Sequence, residues 1–264
     1  EIMPSLVGSE MCIRDSKNEI VELVHNYVHP ETGELITKER LEIKGLGKAK
    51  YILKPGGTLG DLYTNSDLVY NDDGYIEVDK NGNVAVKDDY MDDIYLGSVF
   101  PKYNLAWRND FNYKGINLGV LFTARIGGIC YSATQANMDL YGVSEASAAA
   151  RDAGGVMING RDMIDAQKWY QVIGSQSGLP QYYTYSATNV RLQELSLGYT
   201  LPSKWFRDKM RMTVSFVGRN LWMIYCKAPF DPEAVASTGM NYQGIDYFMM
   251  PSMRNLGFNV KFQF

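Results

Sequence analysis

Two histidines, His25 and His29, stand four residues apart in "HNYVH", the spacing at which a helix would turn both imidazoles toward one metal ion. The glutamate companion of a zinc-protease motif is absent and the flanking residues read as a strand, so no metal is assigned to them. Carboxylates gather in "YNDDGYIEVDKNGN" and "KDDYMDD". Asp79, Asn81 and Asn83 imitate the start of a calcium loop, but Val84 stands where glycine is required and the twelfth position lacks its glutamate. Asp88, Asp89, Asp92 and Asp93 would hold a hard cation only if the loop drew them together; the plainer reading is a solvated surface. "GGTLGD" has no lysine and no strand-to-helix context, so Gly56, Gly57 and Gly60 read as turn glycines. No nucleophile or base constellation is evident, and the chain is read as non-catalytic, with no cofactor.

Aromatic side chains are the stronger chemical signal. Trp169, Tyr170, Tyr182, Tyr183, Tyr185, Phe230 and Tyr247 fall between the regular elements, where exposed rings can stack on sugars or anchor a protein partner. These seven are the candidate substrate or lid contacts. Loop packing, or an interfacial aromatic girdle, is the competing explanation for any one of them.

The elements that would position these rings are strands. In "NLAWRNDFNYKGINLGVLFTARIGG", Leu105, Trp107, Phe111 and Tyr113 alternate with Asn104, Ala106, Arg108, Asp110 and Asn112. After a tight turn at Lys114 and Gly115 the pattern resumes from Ile116 to Ile126. Strands of about 11 residues with one aromatic-rich face match the length that crosses a bilayer at a tilt, whereas sandwich strands stop near 5 or 6. Further strands are expected in "NVRLQELSLGYTLP", where Leu192 and Leu195 break the period of two and suggest a bulge, in "MRMTVSFVGRNLWMIY", and at the end of the chain. There Phe258, Val260, Phe262 and Phe264 share one face. "NEIVELVHNYV" and "KAKYILK" are weaker strand candidates.

Composition agrees with a β-rich chain: 12% aromatic residues, 19 of them Tyr, and 25 Gly. A net charge of -4 gives no basic footprint for nucleic acid. No run approaches the roughly 20 apolar residues of a membrane-crossing helix. Cys12, Cys130 and Cys226 form neither a disulfide framework nor a metal spacing. Residues 1–16, "EIMPSLVGSEMCIRDS", lack a signal-peptide pattern or any evident fold and resemble translated sequencing-adapter read-through. They are set aside as a non-native leader, with residues 17–264 expected to be the tail of a longer protein.

Link lengths alternate: the turn at 114–115, 60 residues at 128–187, a short link at 201–210, and 25 residues at 226–250. Outer-membrane barrels have short periplasmic turns and long external loops, so the alternation puts 128–187, 226–250 and 54–103 outside the cell. The external loops should contain a two-residue hairpin turn at Asn81 and Gly82 and two helical pieces, "SEASAAARDAG" and "RDMIDAQKWYQVIG". A helical turn is expected after Ser203.

Several blocks resemble a known family. "VRLQELSLGYTLP", "VSFVGRNLWMIY", "DPE" and the closing "RNLGFNVKFQF" look like the carboxyl-terminal blocks of SusC/RagA-type TonB-dependent transporters, preceded by "KGLGKAKYILKPGGTLGDLY" and "GSVFPKYNLAWRNDFNYKGINLGVLFTARIGG". The resemblance implies an all-β fold: the carboxyl-terminal antiparallel strands of a transmembrane outer-membrane β-barrel with long extracellular loops. It implies a terminal strand whose Phe258, Phe262 and Phe264 serve barrel assembly. It also implies active import of glycans or oligopeptides, driven through TonB and shared with a SusD-like surface lipoprotein, and it places the plug and TonB-contact segment outside these residues. The alternative reading is a secreted β-sandwich that binds carbohydrate.

Overall fold

A computed structural model describes residues 2–4, 11–14, 20–28, 35–38, 40–89, 92–206, 209–236 and 242–263, with backbone alone for the first four stretches and for Lys44 and Ser203. His29 and Phe264 lie outside the described residues. His25 lies in the strand Ile20–Val28, paired with Lys38, in agreement with the strand reading. Within the leader, Ile2–Pro4 and Met11–Arg14 pair as short strands where the sequence pattern shows no element. The chain divides into two compact units.

One unit, formed by Pro101–Gly128, Ser186–Ala234 and Met250–Phe264, is built on a five-stranded antiparallel meander. Its strands are β1 (Tyr103–Tyr113), β2 (Ile116–Ile126), β3 (Asn189–Thr200), β4 (Arg211–Cys226) and β5 (Asn255–Gln263), each bonded to the next. The register aligns apolar residues in rows across the whole sheet: Phe111, Leu118, Leu197, Phe216 and Phe258 are successive partners, as are Tyr113, Ile116, Tyr199, Val214 and Val260. Trp107 stacks on its partner Phe122 at 5.6 Å. The other face carries Arg108, Asp110, Asn112, Asn117, Glu194, Ser196, Ser215, Asn259 and Lys261, with Arg219 bonded to Glu194 at 3.0 Å.

The bulge expected near Leu192 is present. Against β2, the pairing jumps from Phe122–Leu192 to Leu121–Glu194, so Gln193 is the extra residue and Glu194 returns to the polar face. The β1–β2 turn puts Lys114 at φ 48° and Gly115 at φ 86°, the left-handed pair that suits the twist of a two-residue hairpin. A Cβ on Gly115 would lie 2.9 Å from the Thr200 carbonyl oxygen. Gly115→Val should therefore destabilise the β1–β2–β3 register by about 1–3 kcal/mol, read as a lower yield of folded, protease-resistant sheet.

The long links leave from one end of this sheet. Ile126 pairs with Tyr103 and Arg125 with Asn189, which in turn pairs with Cys226, so residues before 103, 127–188 and 227–254 all emerge there. The turn at 114–115 and the 201–210 link, with its helical turn Ser203–Phe206, lie at the opposite end.

The second unit gathers those long links: residues up to Phe100, Ile129–Tyr185 and Val235–Met249. An antiparallel sheet runs in the order Ile94–Ser98, Asp61–Thr64, Ala49–Leu53, Leu41–Leu46. Three short helices accompany it, α1 (Ala133–Leu140), α2 (Glu145–Asp152) and α3 (Ala166–Ile173), capped by Ser132, Ser144 and Asp165. The helix expected over "RDMIDAQKWYQVIG" is shorter than its sequence pattern. Asp162–Ile164 forms a strand with Val156–Ile158 around Asn159 and Gly160, both at positive φ, and α3 begins only after Asp165. The hairpin at Asn81 also differs: Asp79 and Asn83 bond as flanking partners, leaving a three-residue connection with Gly82 at φ 74°.

Ile245–Asp246 pairs in parallel with Tyr131 and Ser132, joining the two long connections of the meander in one ladder. Ser132 closes that junction, donating to Asp246 at 2.8 Å while accepting from the Gln135 amide at 3.1 Å. Tyr51, Leu62, Leu68, Tyr131, Leu179 and Ile245 are the buried centre. Full burial of an aliphatic side chain of this size contributes about 1.5–3 kcal/mol.

Candidate functional site

Of the aromatic contacts expected from sequence, two are core residues. Trp169, on the inner side of α3, is 7% exposed and meets Tyr182 edge-on at 6.0 Å. Tyr183, at the end of the turn Pro180–Tyr183, is 3% exposed, and burial, reinforced by the nearby Asp139 carboxylate, pushes its phenol far above the usual range. Tyr170, Tyr185 and Phe230 are half-buried. Tyr182 and Tyr247 are exposed, the latter edge-on to Phe248 at 5.2 Å. Phe258 and Phe262 stand on the apolar face of β5, Phe258 at 80% exposure.

An open groove of about 840 Å³ runs between the hairpins at 71–85 and 159–164. It is polar, lined by Asn71, Glu77, Lys80, Asn159 and Asp162, with the Arg161 guanidinium 5.0 Å above the Tyr75 ring. Asn159 fixes the wall by accepting from the Ile76 amide at 2.9 Å and donating to its carbonyl at 3.0 Å. Sequence reading passed over Tyr75 and Arg161, although the Asn159–Gly160 pair is a hairpin signal that could have placed them.

The carboxylates weighed as a calcium site are dispersed among cations. Asp93 accepts from Arg40 at 2.7 and 2.8 Å and from Asn65 at 2.8 Å, and Lys54 lies 2.7 Å away. Asp88 pairs with Lys48 at 2.8 Å, and Asp92 lies 3.6 Å from Lys87. Asp79 accepts from the Asn81 and Asn83 amides within its own hairpin. Among the described residues no group of three or more ligating side chains could hold a metal ion. Burial opposes ionisation of Asp93, and the Arg40, Lys54 and Asn65 hydrogen bonds outweigh it, setting the carboxyl at about 2 against an ordinary 3.8. A depressed folded-state value stabilises fully above the ordinary one, so this contribution should vanish as pH falls from 3.8 toward about 2. Asp93→Asn should flatten that part of the acid-unfolding curve, measured by protease resistance of residues 40–100.

A second buried ion cluster, unforeseen from sequence although "DPE" was noted there, lies at the loop end of the meander. Arg191, 2% exposed, stands on the polar face of β3. Its Nε donates to Asn189 Oδ1 at 3.0 Å, Nη1 donates to Asp231 Oδ2 at 3.3 Å and Ser252 Oγ at 3.1 Å, and Nη2 donates to Asp231 Oδ1. Glu233 lies 3.4 Å from Nη2 and accepts from Asn189 at 3.3 Å. Burial opposes ionisation of Asp231, but its bonds to Arg191 and Ser252 hold the carboxyl at about 2.

No family model matches the chain. It is 25% identical over 198 residues to TonB-dependent receptor P3 of Formosa agariphila, a match covering 71% of this chain and 19% of the receptor. Its fold is similar to that of a chain in the RagAB peptide importer in the open-open state, with a TM-score of 0.52 at 15% identity over 96% of this chain and 27% of the other. The chain thus spans about a fifth to a quarter of the length of the proteins it matches. Both are named for reception or import, neither for catalysis. The chain is thus similar in sequence to a TonB-dependent receptor, and its antiparallel meander with one-ended long loops is similar in fold to part of a chain of the RagAB importer.

Proposed function

We propose that this chain is the carboxyl-terminal barrel segment of an active importer in the outer membrane. The observation that carries the reading is the two-faced meander: unbroken apolar rows on one side, charged and amide side chains on the other, and every long link at one end. At about 3.4 Å per residue and a tilt near 40°, 11-residue strands cover about 28 Å, the height of a bilayer core. In this reading the apolar face meets lipid, the polar face lines the lumen, and the loop unit lies outside the cell. A plug and TonB-contact segment belong to the remaining length of the receptor, and a SusD-like lipoprotein is the expected surface partner. The Tyr75–Arg161 groove and the exposed Tyr182 and Tyr247 are the proposed substrate or lid contacts. Import by the RagAB system, which is named for peptides, makes oligopeptides the first substrates to try, ahead of glycans.

The sandwich alternative needs a second layer over the apolar face. Phe258 at 80% exposure and Trp107 at 60% argue against one. The deciding experiment expresses the full reading frame with its neighbouring lipoprotein gene and follows uptake of labelled oligopeptides and oligosaccharides. Uptake that disappears when TonB is deleted supports the reading; TonB-independent uptake, or a soluble secreted product, sinks it.

A further inference from the structure

We infer that residues 228–234 and 250–254 form a strap folded across the polar face of β3 and β4, latched by Arg191, that narrows the import path. The inference rests on the barrel reading, which makes that face the lumen wall. Register fixes the side on which the strap lies. Arg191 pairs with Thr123 and Met223, and Asn189 with Arg125 and Cys226, all in phase with Arg108 and Glu194 on the polar face. Asp231 and Ser252, which hold Arg191, therefore come from a link that turns back over the polar face. Cys226 points to the same side, its thiol 3.5 Å from the Ala228 carbonyl oxygen and 3.8 Å from that of Phe230. The far limb is held by Asn220, which donates to the Ser252 carbonyl at 3.0 Å.

The strap does not pack tightly on the strands. A cavity of about 310 Å³ lies beside it, lined by Met223, Cys226, Phe230, Asp231, Ser252 and Arg254. A segment fastened by a charge cluster and the Asn220 bond beside open space is loosened when that cluster is broken, because few fastenings beside an unfilled volume make local opening less costly. Arg191 is thus a positioning residue: it touches no substrate and sets how far the strap reaches into the lumen.

The native Cys226 reports on the strap. In the full-length receptor in outer-membrane vesicles, a membrane-impermeant maleimide is applied and modification of Cys226 is followed by peptide mass mapping, alongside vancomycin influx into cells lacking TonB. Asp231→Asn is expected to raise the labelling rate by about tenfold, the effect of weakening its charge-assisted hydrogen bonds, the milder Ser252→Ala by a smaller factor, and both to raise influx. A heat-modifiable electrophoretic band in every variant shows an intact barrel. Wild-type rates of labelling and influx in assembled variants overturn the latch while leaving the importer reading in place. Should Asp231→Asn fail to assemble, Ser252→Ala decides by itself on the same two readouts. A wild-type receptor with no heat-modifiable band overturns the barrel reading, and the strap with it.

Discussion

Replacing Phe216 by arginine is expected to remove the heat-modifiable barrel band from outer-membrane fractions, whereas Ser215→Arg, one residue away, should leave most of it. Phe216 sits in the middle of the row formed by Phe111, Leu118, Leu197 and Phe258 and contacts Phe258 edge-on at 5.4 Å. On the lipid side, between the turn end and the middle of the strands, an arginine costs up to about 2–4 kcal/mol, against a typical net stability of about 5–15 kcal/mol. Ser215 faces the side that carries Asn259 and Lys261, where a cation can be hydrated. The lost aromatic contact adds about 0.5–1.5 kcal/mol to the Phe216 deficit. A Leu197→Arg, Phe216→Arg double variant would place two cations side by side in one row and should leave no detectable band. Equal tolerance at 215 and 216 would mean that the two faces do not separate lipid from lumen.

The second large effect concerns the loop unit. Trp169→Ala should destabilise that unit by about 3–5 kcal/mol, because it empties a buried site and removes the edge contact to Tyr182. Tyr247→Ala, at an exposed ring, should change stability by no more than about 0.5 kcal/mol while lowering uptake of the imported substrate. Limited proteolysis of the assembled receptor separates the two. Cleavage within 129–185 should rise for the tryptophan variant alone, and the uptake loss of the tyrosine variant should appear without it. Rapid cleavage in both would assign Tyr247 a structural role.

These expectations depend unequally on sequence and on folding. Strand positions and facing follow from a local rule: alternate residues point to opposite sides, so Leu105, Trp107, Phe111 and Tyr113 declare an apolar face to any reader of the chain. The bulge at Gln193 against β2 is legible for the same reason, since Leu192 and Leu195 cannot share a face without an extra residue between them. Link lengths likewise fix which loops lie together at one end of an up-and-down meander.

Burial is not local. Trp169 and Tyr182 read alike as loop aromatics, yet one is core and the other surface, because their exposure depends on where α3 and the turn at Pro180 dock. Arg191 and Asp231 are 40 residues apart, and Ser132 and Asp246 are 114 apart. No period in the chain relates such partners. The buried guanidinium must find a carboxylate because a lone charge out of water is prohibitively costly, and only the folded chain decides which carboxylate that is. The sequence by itself determined a two-faced meander with all its long loops at one end. The tertiary structure decided that two of those loops join through a parallel ladder and that the link between β4 and β5 turns back over the polar face, since both depend on contacts between segments that are distant along the chain.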